Sequence, residues 1–320
     1  MIYVSTITLT SAIFSGTQKS LCIAIQGACV PLAGLFYPYL LDLLVSTYGL
    51  RGTFSVLSGV FCNSFAFSLM VWLHRSDLNL HTVKRNIGTE QEHQCDSETS
   101  TKGKLFTNLK NFIKDLMTKR FICLLVATAI SVSTSNGFLD FVFDISHWKG
   151  FNNSEAKMSF VAYNICGVIF CVTPGLIKQI SDIDTYFYPF GLAVIAFIGS
   201  ITIWYASSFA VYTIGLACMS AVPGLLSSAF MICANLARLE QVSVAIGMFD
   251  TLIGFLSAGI GPIYGVIRDK TGHYNAVFLI FAVAQGIASL LFIGDIISRK
   301  LKLPVHKDID GIDNRVNDEC

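Results

Sequence analysis

The sequence predicts an all-α protein that crosses a membrane several times, and three observations support this. Of its 320 residues, 53% are hydrophobic and only 13% are charged, with a mean hydropathy of +0.62, whereas a soluble domain carries about 25% charge. Long continuous apolar runs alternate with polar joints, most of them short. Lysine and arginine are concentrated in every second joint, as expected for a polytopic membrane protein.

The apolar runs predict eight full spans and one shorter stretch at the start. That stretch, at about 2–14, is shorter than the ~20 residues needed to cross the hydrocarbon core, and it lacks the basic residues of a signal peptide. The longer runs are continuous and do not alternate as barrel strands do, so helices are favoured. The predicted spans are 20–45, 52–74, 121–143, 158–178, 186–205, 209–236, 243–267 and 274–297.

The uneven distribution of Lys and Arg predicts the orientation of the chain in the membrane. If the joint at 74–120 and the carboxyl-terminal tail are cytoplasmic, 17 of the 22 Lys and Arg residues lie inside, the side on which positive charge is retained. The single N-x-[ST] sequon, at Asn152, falls in an outside joint, which agrees with this orientation. The five outside residues are Arg51, Lys149, Lys157, Arg268 and Lys270.

The long cytoplasmic joint divides into two parts. Residues 76–104 are polar and aperiodic, which predicts a disordered loop. Residues 105–120 carry apolar side chains at helical spacing with lysines elsewhere, which predicts a basic amphipathic helix on the inner leaflet, although the stretch is equally compatible with the start of the next span. The predicted organisation is a remnant of an N-terminal helical half (1–75), the loop (76–104), the amphipathic helix (105–120), a six-helix half (121–298) and a tail (299–320).

Several function classes are disfavoured. A net charge of +1 argues against a nucleic-acid partner. The ten cysteines contain no CxxC pair or metal-site spacing, and most lie in apolar runs. No nucleophile elbow or phosphate loop is present, so we predict neither an enzyme nor a metal or cofactor site. The number of spans and the joint lengths also argue against a seven-helix receptor.

Three stretches carry a resemblance to a known family. The first is YGLRGT at 48–53, followed by LSGVFCN at 57–63; the second is GPIYGVIRDKTGHY at 261–274; the third is the short joint and helix start at 238–247. Together they resemble the monocarboxylate transporter family of the major facilitator superfamily. They match its YGWRG turn and sixth span, its signature between spans eleven and twelve, and its short joint before span eleven.

The resemblance implies a fold of two six-helix halves around a midplane site. It makes the stretch at 2–14 the end of span four and the eight full spans five to twelve, so the C-terminal half is complete and the N-terminal half is not. It implies a secondary transporter in the plasma membrane that moves a small organic acid or related solute, in a proton-linked form in some members. Some members also use a single-span accessory protein. The alternative is a non-transporting remnant or a membrane interaction protein.

The resemblance also shows a departure from the family in span eight. Proton-coupled members carry an Asp four residues before an Arg there, and the Arg binds the substrate carboxylate. Ile169 and Thr173 stand at these two positions. A hydroxyl cannot clamp a carboxylate as a guanidinium does, so we do not expect lactate–proton symport by the family's usual pair.

The remaining polar residues of the spans give candidates for a substrate or proton pathway. Inserting an acidic side chain into the membrane costs ~2.5–3.5 kcal/mol of free energy, and such a side chain usually faces a cavity or a partner. Asp250 is the deepest acid, and it is either a cavity or proton-linked group or a helix-contact residue. Asp140 and Asp144 form either a solvated helix end or an outer cation or proton funnel. Asn164 faces the interior or bonds a neighbouring helix. The candidates are Asp250, Asn164, Thr173, Asp140 and Asp144.

Overall fold

The structure, a computed structural model, describes residues 2–73, 117–181, 185–237 and 239–300. Within these ranges the chain is helical apart from short joints and contains no strand. The loop at 76–104, most of the 105–120 stretch and the tail beyond residue 300 lie outside the described residues. The helices are α1 (Ile2–Ile13), α2 (Gly16–Leu73), α3 (Lys119–Asp140), α4 (Val142–Trp148), α5 (Asn153–Ile180), α6 (Phe187–Tyr205), α7 (Phe209–Met219), α8 (Ala221–Leu236), α9 (Leu239–Thr271) and α10 (Asn275–Lys300).

Seven stretches of the described chain are long and apolar enough to cross a membrane. The first, Gly16–Ala66, has 51 residues, which corresponds to about 76 Å of helix against a hydrocarbon core of ~30 Å. Gly49 interrupts it with a non-helical conformation at φ 67° and ψ 177°, which glycine adopts readily because it has no Cβ. Helix α2 therefore consists of two arms, 16–48 and 50–73, which correspond to the first two predicted spans.

Two other predicted spans are interrupted. The span predicted at 121–143 ends at Asp140, because Phe141 leaves the helical conformation and α4 begins after it. The span at 209–236 is divided at Ser220 into α7 and α8. Pro223 lies in the first turn of α8 and has no N–H to donate to the carbonyl group four residues earlier, which favours a helix break just before it.

Helix α3 begins within the stretch predicted as an amphipathic helix. Thr118 caps it, since its hydroxyl accepts a hydrogen bond from the Phe121 N–H at 3.3 Å. Lys119 and Arg120 therefore belong to the first turn of a membrane-spanning helix. The rest of the predicted amphipathic stretch, 105–116, lies outside the described residues.

The first arm of α2 runs antiparallel to α5 along its length. A Cβ on Gly175 would lie 2.6 Å from the Cβ of Ala24, and a Cβ on Gly167 would lie 3.0 Å from the Cβ of Pro31. Residue numbers thus rise along α2 as they fall along α5. Glycines in α5 allow the two backbones to approach closely, which is how membrane helices commonly associate.

Helices α3–α10 form a unit with two aromatic-rich cores. At the end of the bundle that contains Lys19, called the Lys19 end, the Phe249 ring meets Phe121 and Phe230 edge to face at 5.7 and 5.8 Å between ring centroids. Such pairs contribute ~0.5–1.5 kcal/mol beyond their buried area. Towards the opposite end, called the Gly49 end, Phe138 stacks on Phe281 at 5.1 Å. The first arm of α2 lies against this unit.

Candidate functional site

A cavity of about 420 Å³ lies between the first arm of α2 and the α3–α10 unit. Helices α2, α3, α5, α8 and α9 all contribute to its wall. Its volume falls within the ~300–1,000 Å³ of small-molecule sites, and like them it is largely apolar with a few polar groups. The side chains in its lining that carry polar groups are those of Ser135, Asn136, Tyr163, Asn164, Ser227 and Asp250.

Two of the predicted pathway residues, Asp250 and Asn164, line this one cavity. Asn164 is only 3% exposed, and its Nδ2 donates a hydrogen bond to the Phe160 carbonyl oxygen at 2.8 Å. Its Oδ1 faces Gly34 of α2 so closely that a Cβ on Gly34 would overlap it. The Asn164 amide therefore lies at the contact between α2 and α5, beside the cavity.

Asp250 reaches the cavity from α9. Its side chain is exposed, and within the described ranges it has no ion-pair partner. Because no described Lys, Arg or His forms an ion pair with it, the carboxylate can interact with a solute or with a proton.

The other three candidates lie outside the cavity lining. The Thr173 hydroxyl donates to the Ile169 carbonyl oxygen at 2.6 Å within its own helix. Asp140 is exposed at the end of α3. Asp144 pairs with Arg268 at 3.1 Å and accepts a hydrogen bond from the Tyr274 hydroxyl.

The contacts of Asp144 tie α4 to the joint between α9 and α10 at the Gly49 end. The Asp144 and Arg268 side chains are each 46% exposed, so their ion pair contributes only ~0–1 kcal/mol. Tyr274 is 1% exposed. Burial, followed by the hydrogen bond and charge of Asp144, raises the pKa of Tyr274 to about 12. We therefore assign Asp144 a structural role, in which it holds α4 against the joint between α9 and α10.

Polar contacts join α2 to the α3–α10 unit at both ends of their interface. At the Gly49 end, Asp42 forms an ion pair with Lys157. At the Lys19 end, Lys19 donates to the Ala234 carbonyl oxygen, and Asn235 Nδ2 donates to the Ser20 hydroxyl at 3.3 Å. These contacts were not predicted from the sequence. A single charged residue near each end of the first full span, Lys19 and Asp42, could have indicated them.

Comparisons with known proteins agree with this architecture. A family model described as Major Facilitator Superfamily matches residues 1–262. The chain is similar in structure to a Major Facilitator Superfamily transporter, FucP, in the outward conformation, with a TM-score of 0.60 and 11% identity over 91% of this chain and 72% of that one. A variant of the E. coli fucose:proton symporter FucP matches at TM-score 0.60 and 12% identity, with the same coverage.

The two structural likenesses are low in sequence identity and show the fold alone, whereas the family match extends over most of the chain. Comparison with curated proteins by sequence gives no match. The multi-pass helical architecture, the cavity between α2 and the α3–α10 unit and the family match lead to one conclusion. The chain belongs to the Major Facilitator Superfamily, a family of membrane transporters.

Proposed function

We propose that this protein carries a small solute across the membrane by secondary active transport, through the cavity between α2 and the α3–α10 unit. The observation that carries the proposal is the position of that cavity. It lies between the two contact regions that join α2 to the α3–α10 unit, one at each end. A solute in such a cavity is reached from alternate sides when the two units rock about it.

We propose that Asp250 couples a proton to this movement. It is the only carboxylate among the described residues that line the cavity. Of the elements packed on α9, the described part of α3 contributes Lys119, Arg120 and Cys123 at the Lys19 end and Asp140 at the Gly49 end. Helix α8 contributes Cys233, and α10 contributes Asp295. Tyr163 is the other titratable residue of the lining.

We further propose that the protein is of the monocarboxylate transporter type in its architecture. The motifs at 48–63, 238–247 and 261–274 support this, as does the division of α2 at Gly49, within the first of those motifs. The absence of an arginine at Thr173 sets the protein apart from that family's carboxylate-binding members. The plasma membrane, with the 76–120 joint and the carboxyl terminus on its cytoplasmic side, is the location that the charge bias and the resemblance favour.

The test is proton movement in proteoliposomes that contain the full chain. A pH-sensitive dye inside the vesicles reports proton flux when each member of a panel of small organic acids, amides and amines is added outside. We expect at least one solute to drive flux, and Asp250→Asn to abolish it. Asp269→Asn, which removes an acid at the Gly49 end, is the matched control and should leave the flux unchanged. Flux with unchanged pH dependence in Asp250→Asn would remove Asp250 from the mechanism.

A further inference from the structure

The described cavity lining carries a negative charge and no positive one. Asp250 lines the cavity, and its described lining contains no Lys, Arg or His. Lys19 and Lys157, the cations nearest the ends of the α2 interface, already bond to Ala234 and Asp42. A carboxylate solute would therefore lose its hydration next to a like charge without gaining a cationic partner, which is unfavourable in a site of low dielectric.

Aromatic rings form part of the same wall. Phe160 and Tyr163 of α5 stack with 5.9 Å between ring centroids and an interplanar angle of 13°, and both line the cavity together with Phe230 of α8. The faces of aromatic rings attract cations, and quaternary ammonium groups are commonly bound in this way. The wall therefore offers aromatic rings and one carboxylate, a combination that favours a positively charged organic group.

Building on the proposed transport function, we infer that the cavity binds a small organic cation, an amine or quaternary ammonium compound with an apolar body, whose charge is balanced by Asp250. The apolar body packs against the α5 and α8 rings, and the Asn136 amide supplies hydrogen-bonding groups to the solute. This assigns a substrate class opposite in charge to the one that the family resemblance implies.

Binding to the purified full chain in lipid nanodiscs tests the inference without requiring transport. The probes are benzyltrimethylammonium, whose charge does not depend on pH, and phenylacetate and phenylacetamide, which are similar in size but anionic and neutral. We expect calorimetry to show binding of benzyltrimethylammonium at least about tenfold tighter than phenylacetate, because one probe is attracted by Asp250 and the other repelled. Asp250→Asn should weaken cation binding by about tenfold or more. Asp250→Glu should retain most of it, and Asp269→Asn all of it.

Two results would overturn the inference: phenylacetate bound as tightly as benzyltrimethylammonium, or cation binding unaffected in Asp250→Asn. The thermal unfolding transition of each variant in nanodiscs shows whether it is folded, so weak binding is separated from misfolding. The outcomes for the two proposals are also distinct. Cation binding that depends on Asp250, without any proton flux in proteoliposomes, supports this substrate class and contradicts the proton-coupled transport. Flux driven by phenylacetate alone supports transport and contradicts the substrate class.

Discussion

Asp42, near the Gly49 end of the first arm of α2, forms an ion pair with Lys157 close to the start of α5. The two residues belong to the two structural units that frame the cavity, so the pair joins these units at one end. The Asp42 side chain is 60% exposed and that of Lys157 is 29% exposed. An exposed pair contributes only ~0–1 kcal/mol, so it can break and re-form as the units move.

The first prediction concerns this ion pair. Asp42→Asn and Lys157→Gln should each lower the free energy of unfolding in mixed micelles by up to ~1 kcal/mol. The exchanged pair, Asp42→Lys with Lys157→Asp, should recover most of the loss because the attraction is restored with reversed polarity. If the exchanged pair loses as much as the two single variants together, the contact does not stabilise the interface.

The second prediction concerns the contact between Gly34 and Asn164. A Cβ on Gly34 would overlap Asn164 Oδ1, so Gly34→Ala should lower the free energy of unfolding by ~1–3 kcal/mol through overpacking. Asn164→Ala should relieve the overlap, and the double variant should be more stable than the sum of the single changes predicts. Gly59→Ala is the control, because a Cβ there would meet nothing within 4 Å. It should be neutral or stabilising by up to ~1 kcal/mol.

The third prediction concerns the ionisation of Tyr274. Its pKa is raised to about 12, above the ~10 of an ordinary tyrosine. Because the folded chain holds this proton more tightly than the unfolded chain, the resulting stabilisation is complete below pH ~10 and is lost as the pH rises towards about 12.

Ultraviolet absorbance of tyrosinate checks this prediction. The difference between the unsubstituted protein and Tyr274→Phe should remain small near pH ~11 and appear only above it. A difference of about half of one tyrosinate near pH ~10, as for an ordinary tyrosine, would show that Tyr274 is neither buried nor bonded to Asp144 as described.

The sequence predicts the spans well because their cause is local. A continuous apolar run of ~20 residues must be helical in lipid, and the run lengths alone indicate α3, α5, α6 and α10. The two spans at 20–45 and 52–74 were also predicted, and the break at Gly49 falls between them. The breaks at Phe141 and Ser220 were missed, since both fall inside apolar runs where hydropathy carries no signal.

The cavity lining was predictable only in part. An acid as deep as Asp250 must face a cavity or a partner, which is why the sequence indicated it. The directions in which Thr173 and Asp144 face depend on how each helix is rotated against its neighbours. The residues around each position do not determine that rotation. For the same reason the sequence does not indicate that Phe160 and Tyr163 form part of one wall of the cavity.

The central claim is that the cavity between α2 and the α3–α10 unit opens to water on one side of the membrane and then on the other, in turn. Asn136 lines this cavity, whereas Ile198 is 53% exposed on α6 outside the cavity lining and is expected to face lipid. Each can be replaced by cysteine in a folded background that lacks the ten native cysteines.

The decisive measurement is the rate at which each cysteine reacts with a membrane-impermeant methanethiosulfonate reagent added to one side of oriented vesicles. A thiol reacts as its thiolate, which forms in water and not in lipid. The account predicts that Asn136→Cys reacts from either side and that Ile198→Cys reacts from neither. An Asn136→Cys protein that is unreactive from both sides, while Asp42→Cys at the surface reacts, would contradict it.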